Sequence, residues 1–209
     1  MMFHILDLYE RPYDPHHPLV CFDEKSKELH AEVRPPLRMQ PGHLARQDYE
    51  YKRNGTRNLF LFVEPKAGFR HVLITHRRTK LDFAYAMRYL VDVLYPQAEW
   101  VDVVLDCLNT HHEVILIEIF GKTEADRILS RLRFHHTPAH ASWLNTAEIE
   151  IGVLEEQCLD RRLPDEFTLG TEVVAWEDRR NQQQAKIHWT FTRQKAEKVF
   201  CKDQSYSSS

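Results

Sequence analysis

Cysteine is scarce in this 209-residue chain and never clustered: Cys21, Cys107, Cys158 and Cys201 stand far apart, with no Cys-x-x-Cys pair. That argues against a disulfide framework and against a thiolate zinc site. No apolar run approaches the length of a membrane span, and the N-terminus MMFHILDLYERPYDP lacks the basic and apolar regions of a signal peptide. The expectation is a cytoplasmic protein with no membrane partner. A surplus of positive charge is also missing. Lys and Arg number 28 against 31 Asp and Glu, a net charge of −3, which argues against a protein that coats nucleic acid indiscriminately. There are no internal repeats.

What is present belongs to a globular protein: 43% hydrophobic and 28% charged residues, in a length that fits one domain with a real core. PLVCFD (18–23) reads as a short buried strand, and RPPLRMQPG (34–42) as a loop. NLFLFVEP and FRHVLIT flank PKAG as a hairpin. TKLDFAYAMRYLVDVLYP starts with a capping-box-like Thr79 and Asp82, carries Phe83, Met87, Leu90 and Leu94 on one face, and stops before Pro96, so it reads as a helix. WVDVVLD is a β-branched strand. Residues 112–131 are helical with a break at Gly121, LRFHH is a short strand, and SWLNTAEIEIGVLEEQCLD is a helix. Two further helices are expected near 166–182 and 192–201, before a disordered SYSSS tail. The order β-β-β-α-β-α-β-α with a helical appendage implies an α/β fold whose mixed sheet is flanked by helices.

Positive charge, though not in surplus, is clustered. RHVLITHRRTK (70–80) holds Arg70, Arg77, Arg78 and Lys80 without an acid. Arg46, Lys52, Arg53 and Arg57 form a second group, with Tyr49 and Tyr51 interleaved. Such clusters are solvated surface unless an acidic metal site lies beside them.

Two strands end on aspartate, at Asp23 and Asp106, and in open α/β sheets sites gather beyond strand ends. Asp102 shares the face of Asp106 but sits about 13 Å away along the strand. The helix after Ser142 offers a further acid. Leu144, Ala147, Ile151, Leu154 and Cys158 form its apolar stripe, Glu148 and Glu155 lie near the border, and Glu150 points away. Glu148 also stands where it can pair with Asn145 as a helix cap. If Asp23, Asp106 and Glu148 converge, two carboxylates about 4 Å apart repel by roughly 4 kcal/mol at an effective dielectric near 20, and a counter-cation is needed. All-oxygen ligation favours two Mg²⁺ or Mn²⁺ ions, an arrangement suited to phosphodiester cleavage. A zinc reading through His135, His136 and His140, with His111 and His112 nearby, is weaker, because Pro138 spoils a helical His-x-x-x-His face.

Several long segments carry a family resemblance: LYERPYDP, CFDEKSKELHAEVR, RQDYEYKRNGTRNLFLFVEPKAGFRHV, RRTKLDFA, VVLDCLNTH, FHHTPAHASWLNTAEIE, QCLDRRLPD and WTFTRQKAEK. Together they resemble the catalytic domain of bacterial insertion-sequence transposases of the mariner superfamily, within the DDE superfamily of endonucleases. The resemblance implies a ribonuclease-H-like, five-stranded mixed sheet over residues 18–160, preceded by an N-terminal extension (1–17) and followed by a C-terminal helical extension (161–209). It implies that Asp23, Asp106 and Glu148 are the catalytic acids and the ligands of two Mg²⁺ or Mn²⁺ ions. The expected reaction is cleavage and 3′-end joining of DNA. Asn109 and His111 are candidates to support the metal ligands, and Arg77, Arg78 and Lys80 to contact the DNA backbone.

The chain departs from the family pattern in places. Cys107 stands where asparagine is usual, Ala141 where glycine is usual in HGSWLN, and the closing basic helix is altered. Related full-length transposases carry helix-turn-helix modules ahead of this domain. The expected partners are therefore transposon-end and target DNA, with a homodimer or a second transposase chain supplying those modules. The rival reading is a non-enzymatic remnant that interacts with DNA or with an intact transposase.

Overall fold

The computed structural model describes residues 2–34, 39–44, 49–108 and 111–200. Five strands, β1 (Leu19–Glu32), β2 (Tyr51–Glu64), β3 (Phe69–Thr75), β4 (Val101–Leu105) and β5 (Leu132–His136), form one sheet in the order β3-β2-β1-β4-β5. The pairs β1–β2 and β2–β3 are antiparallel, and β1–β4 and β4–β5 are parallel. The mixed sheet read from the element order is therefore present. The parallel strands are each reached through helical crossovers: α2 (Lys80–Tyr89) before β4, then α3 (Glu113–Phe120) and α4 (Lys122–Leu129) before β5. Chain ends and later segments supply α1 (Met2–Glu10), α5 (Thr146–Leu154), α6 (Glu166–Gln182) and α7 (Arg193–Phe200).

Local signals set most boundaries. Thr79 and Asp82 form a complete capping box at the start of α2, which satisfies two orphan donors reciprocally. The helix continues through a π turn at Leu90–Leu94 and ends at Tyr95, ahead of Pro96. Gly121, at φ 76°, separates α3 from α4. Three expectations differ. Strand β1 does not stop at Asp23 but runs to Glu32, because β2 continues to pair with it across a bulge between Glu28 and His30; partner pairing overrides the polar sequence. The helix expected from Ser142 begins at Thr146, after a 3₁₀ turn over Ser142–Leu144. And α1 had not been foreseen: Ile5, Leu6, Leu8 and Tyr9 are buried, although so short a helix is marginal without such packing.

The sheet separates two cores. On one face Val20, Phe22, Phe60, Phe62, Phe83, Met87, Val103 and Leu105 pack with α2, α3 and α4. On the other, Leu6, Cys21, Leu59, Leu61, Leu154 and Trp176 pack with α1, α5 and α6. The extensions on either side of residues 18–160 thus contribute to the same core as the sheet.

Helix α6 also covers the β3 edge. The Val72 N–H donates to Glu177 Oε2 (2.9 Å), the Arg70 N–H donates to Asn181 Oδ1 (2.9 Å), and Asn181 Nδ2 donates to the Arg70 carbonyl (2.8 Å). These bonds occupy backbone groups that an added strand would need. Arg70 itself was expected in a positive surface cluster, but its side chain is 0% exposed. It donates to the carbonyls of Gly68 (2.8 Å) and Ala185 (2.7 Å). Gly68 has φ 71°, and a Cβ there would fall 2.5 Å from the backbone of Gln184. Among the described residues no helix is long and apolar enough to cross a membrane.

Candidate active site

Alternation along β1 assigns its acids to opposite faces of the sheet. Cys21 belongs to the α5-side core and Phe22 to the α2-side core, so Asp23 follows Cys21 and Glu24 follows Phe22. In β4, Val104 is level with Cys21. Continuing that register by two residues sets Asp106 beside Asp23 on the neighbouring strand.

Asp23 is short of positive charge. Its Oδ1 accepts the Glu24 N–H at 2.7 Å, yet its pKa is raised to about 6. Burial is the largest cause, and the negative charges of Asp106, Glu148 and Glu24 add to it against that hydrogen bond. The same interactions make the three expected acids electrostatic neighbours.

Asp106 is in a different state. Its side chain is 32% exposed, and its Oδ1 lies 2.5 Å from His111 Nδ1. The other nitrogen of His111, Nε2, lies 3.1 Å from Glu24 Oε1. Burial alone would depress the His111 pKa, but the hydrogen bonds and charges of Asp106 and Glu24 raise it to about 9. His111 is therefore an imidazolium that donates to both carboxylates. Burial pushes Asp106 up, while the His111 hydrogen bond and charge outweigh it and hold the carboxyl below its ordinary value. The contacts of Asp106 with His111 and with the Leu108 N–H both fall on Oδ1, so among the described residues Oδ2 has no partner.

Glu148 lies in the first turn of α5 and is exposed. Asn145 caps this helix by accepting the Ala147 N–H at 3.1 Å, and its Nδ2 donates to the carbonyl of Phe22 (2.9 Å), the residue before Asp23. Glu148 makes no reciprocal bond, so it is free of the capping role. Glu150, expected to point away, is 0% exposed. Arg180 grips it through Nε (2.8 Å) and Nη2 (3.0 Å), and Arg70 Nε lies 3.1 Å away. Glu155 pairs with Lys25 at 2.8 Å.

The donor set suits a hard divalent cation: among the described residues no cation pairs with Asp23, and one oxygen of Asp106 is unused. Among the described residues, however, no three His, Cys, Asp or Glu side chains are grouped closely enough to hold a metal ion. Two histidines of the zinc reading have separate partners. His135 bonds Asp102 (2.7 Å) and His4 (3.0 Å), and His136 bonds the Asp106 carbonyl (3.2 Å).

Asn109 lies outside the described residues. Arg77 and Arg78 are exposed, just past β3, whose last residue Thr75 is level with Asn58 and through it with Ser26. They thus stand at the same end of the sheet as the acids. Lys80 is there too, paired with Glu118 at 2.9 Å. His111 was a candidate to support the metal ligands, but its bond to Glu24 was not anticipated. That bond's one sequence signal is the second acid of the Phe22-Asp23-Glu24 run.

A family model described as DDE superfamily endonuclease matches residues 18–169. No curated protein matches the chain. Among solved structures, the Mos1 mariner paired end complex with Mn is similar at a TM-score of 0.60 and 14% identity, over 98% of this chain and 61% of that one. The Mos1 strand transfer complex gives a TM-score of 0.57 at 14% identity, over 99% and 60%. The mariner Mos1 paired end complex with Mg gives 0.53 at 15%, over 88% and 57%. At such identities the likeness is one of fold, here the ribonuclease-H-like sheet with its C-terminal helices. The chain spans about three-fifths of the first of those Mos1 chains.

Proposed function

The chain belongs to the DDE superfamily of endonucleases, and from that membership we propose that it is the catalytic part of a transposase that cuts DNA and joins 3′ ends. The observation that carries this reading is Asp23, a largely buried carboxyl raised to about 6 beside two further acids, with too little positive charge around it.

When bound, two Mg²⁺ or Mn²⁺ ions would supply the charge that activates a water and stabilises the leaving oxygen. Asp23 and Asp106 would hold them, and Glu148 would complete the set. His111 fixes Asp106 through Oδ1 and keeps the carboxylate ionised. Arg77 and Arg78 meet phosphates at the same end of the sheet, and Lys80 joins them on leaving Glu118. Phosphate contacts position a duplex but carry little sequence information. Recognition of transposon ends therefore needs base-edge contacts beyond these, of the kind helix-turn-helix modules make.

Nicking of supercoiled plasmid tests the reading. It should require Mg²⁺ or Mn²⁺ and disappear in Asp23→Asn, Asp106→Asn and Glu148→Gln, while Glu155→Gln stays active. The same ions should raise the melting temperature of the wild-type chain and not of Asp23→Asn. Nicking that survives both aspartate changes would sink the assignment. Wild-type protein that neither nicks nor is stabilised by the ions would favour the non-enzymatic remnant.

A further inference from the structure

Trp143 sits in the 3₁₀ turn ahead of Asn145 and leaves 42% of its surface exposed. Its ring is within 11° of parallel to that of Trp189, with centroids 6.2 Å apart, and stands edge-on to Phe191 at 5.5 Å. Trp189 packs in turn on Tyr9 at 4.9 Å. It also lines a groove of about 280 Å³ together with Tyr13, Lys66, Lys186 and His188. No acid lines that groove, and among the described residues neither lysine has a carboxylate partner. The nearby Glu64 is buried and takes the Tyr95 hydroxyl at 2.9 Å.

Hydrogen bonds tie the groove to the segments that carry the acids. The Tyr9 hydroxyl donates to the Leu144 carbonyl at 2.6 Å, and the Ile187 N–H donates to the Pro65 carbonyl at 3.0 Å. Asp23 is level with Leu61, so the end of β2 at Glu64, two residues before Lys66, lies about 10 Å from Asp23 down the sheet, at some 3.3 Å of rise per residue. Aromatic faces near the acids thus lead to cations at the far end. A duplex backbone needs the cations but not the rings, and an apolar peptide needs the rings but not the cations. Unpaired nucleotides use both, stacking bases on aromatic side chains while the phosphates track positive charge.

We propose that Trp143, Trp189 and Tyr13, with Lys66 and Lys186, form a binding track for an unpaired DNA strand. The endonuclease reading enters only as the source of that strand, an end freed at Asp23 and Asp106.

The test is fluorescence anisotropy with a labelled oligo-dT of about 12 nucleotides, within the range single-strand sites occupy. The full chain is used, with chelator present so that no cleavage intervenes. Trp143→Ala should weaken binding about tenfold, in line with the loss of one base–aromatic stack, and Trp143→Phe should recover most of it. Lys186→Glu should weaken binding and flatten its salt dependence. Affinity for a duplex of equal length should change less than twofold in Trp143→Ala. If oligo-dT does not bind, or if folded Trp143→Ala and Lys186→Glu both keep their affinity within twofold, the track is refuted. An equal loss on duplex in Trp143→Ala also overturns it. Absent nicking, with these variant effects intact, would leave the track standing and remove the endonuclease reading alone.

Discussion

Glu148 and Glu150 stand two residues apart on α5, and replacing each by glutamine should have opposite consequences. Among the described residues Glu150 is the only carboxylate contacting both Arg70 and Arg180, which reach it from β3 and α6. The Arg70 side chain is 0% exposed and that of Glu150 1%. An amide at position 150 keeps the shape but faces two guanidiniums with no net charge. Removing one partner from a buried ion pair costs about 3–5 kcal/mol, a large part of a typical stability of about 5–15 kcal/mol. With a urea m-value of about 2–3 kcal/mol/M for a chain of this size, the unfolding midpoint should fall by about 1–2 M. Glu148 is exposed, and Glu148→Gln should stay within about 0.5 kcal/mol of wild type while abolishing nicking. Urea titration followed by tryptophan fluorescence reads both. Pairing Glu150→Leu with Arg70→Met should recover part of the loss, because apolar replacement of a buried pair is tolerated better than its breakage. A midpoint shift below 0.5 M for Glu150→Gln, or equal shifts for the two variants, would refute the claim that this cluster anchors α5.

Cys107→Asn should raise nicking severalfold at unchanged stability. Cys107 is exposed beside Asp106, and an amide orients a ligand carboxylate better than a thiol does; a neutral rate comparison would remove that role. Arg77→Ala and Arg78→Ala should each weaken duplex binding regardless of sequence and lower the slope of log affinity against log salt by about 1, whereas a sequence-selective loss would contradict a pure backbone contact. Asp102 is held down to about 2 despite its burial, by hydrogen bonds and charge from His135 and Arg11. Its folded pKa lies below the unfolded value, so it contributes about 2 kcal/mol above pH 4, lost as pH falls through about 2. Asp102→Asn should be less stable by that amount at pH 7, and the difference should vanish at pH 2; a constant gap across that range would point to packing instead. Through phosphate contacts alone, residues 1–209 should bind terminal-repeat DNA no better than random duplex, and a preference of tenfold or more, roughly 1.4 kcal/mol, would place recognition within these residues.

The elements themselves were legible because their signals are local. Thr79 and Asp82 announce α2, Gly121 breaks the helix that follows, and Pro65 with Gly68 turns the β2–β3 hairpin, each through bonds or dihedrals spanning a few residues. Asp23 and Asp106 stood out for the same reason, since a carboxylate that closes an apolar run is conspicuous in one dimension, although only Asp106 follows a strand end and β1 runs on to Glu32. Helix α1 was not, since nine residues gain stability only by placing Ile5, Leu6 and Tyr9 against a sheet that other segments build.

What only the tertiary structure decided was which side of each element faced what. Alternation says that Asp23 and Glu24 diverge, but the pairing of β1 with β2 and β4 decides that Asp23 turns to α5 and Glu24 to His111. On α5 one apolar stripe suggested a helix buried along a single side, with Glu150 in water. The helix is instead enclosed on a second side by Arg70 and Arg180, and their charge lets a buried carboxylate exist there. Likewise Arg70, grouped by sequence with Arg77 and Arg78, is drawn inside by the carbonyls at the end of α6. A side chain's neighbours along the chain fix its spacing. Its burial and charge state also depend on partners as far as 115 residues away, and those arrive only when the chain has folded.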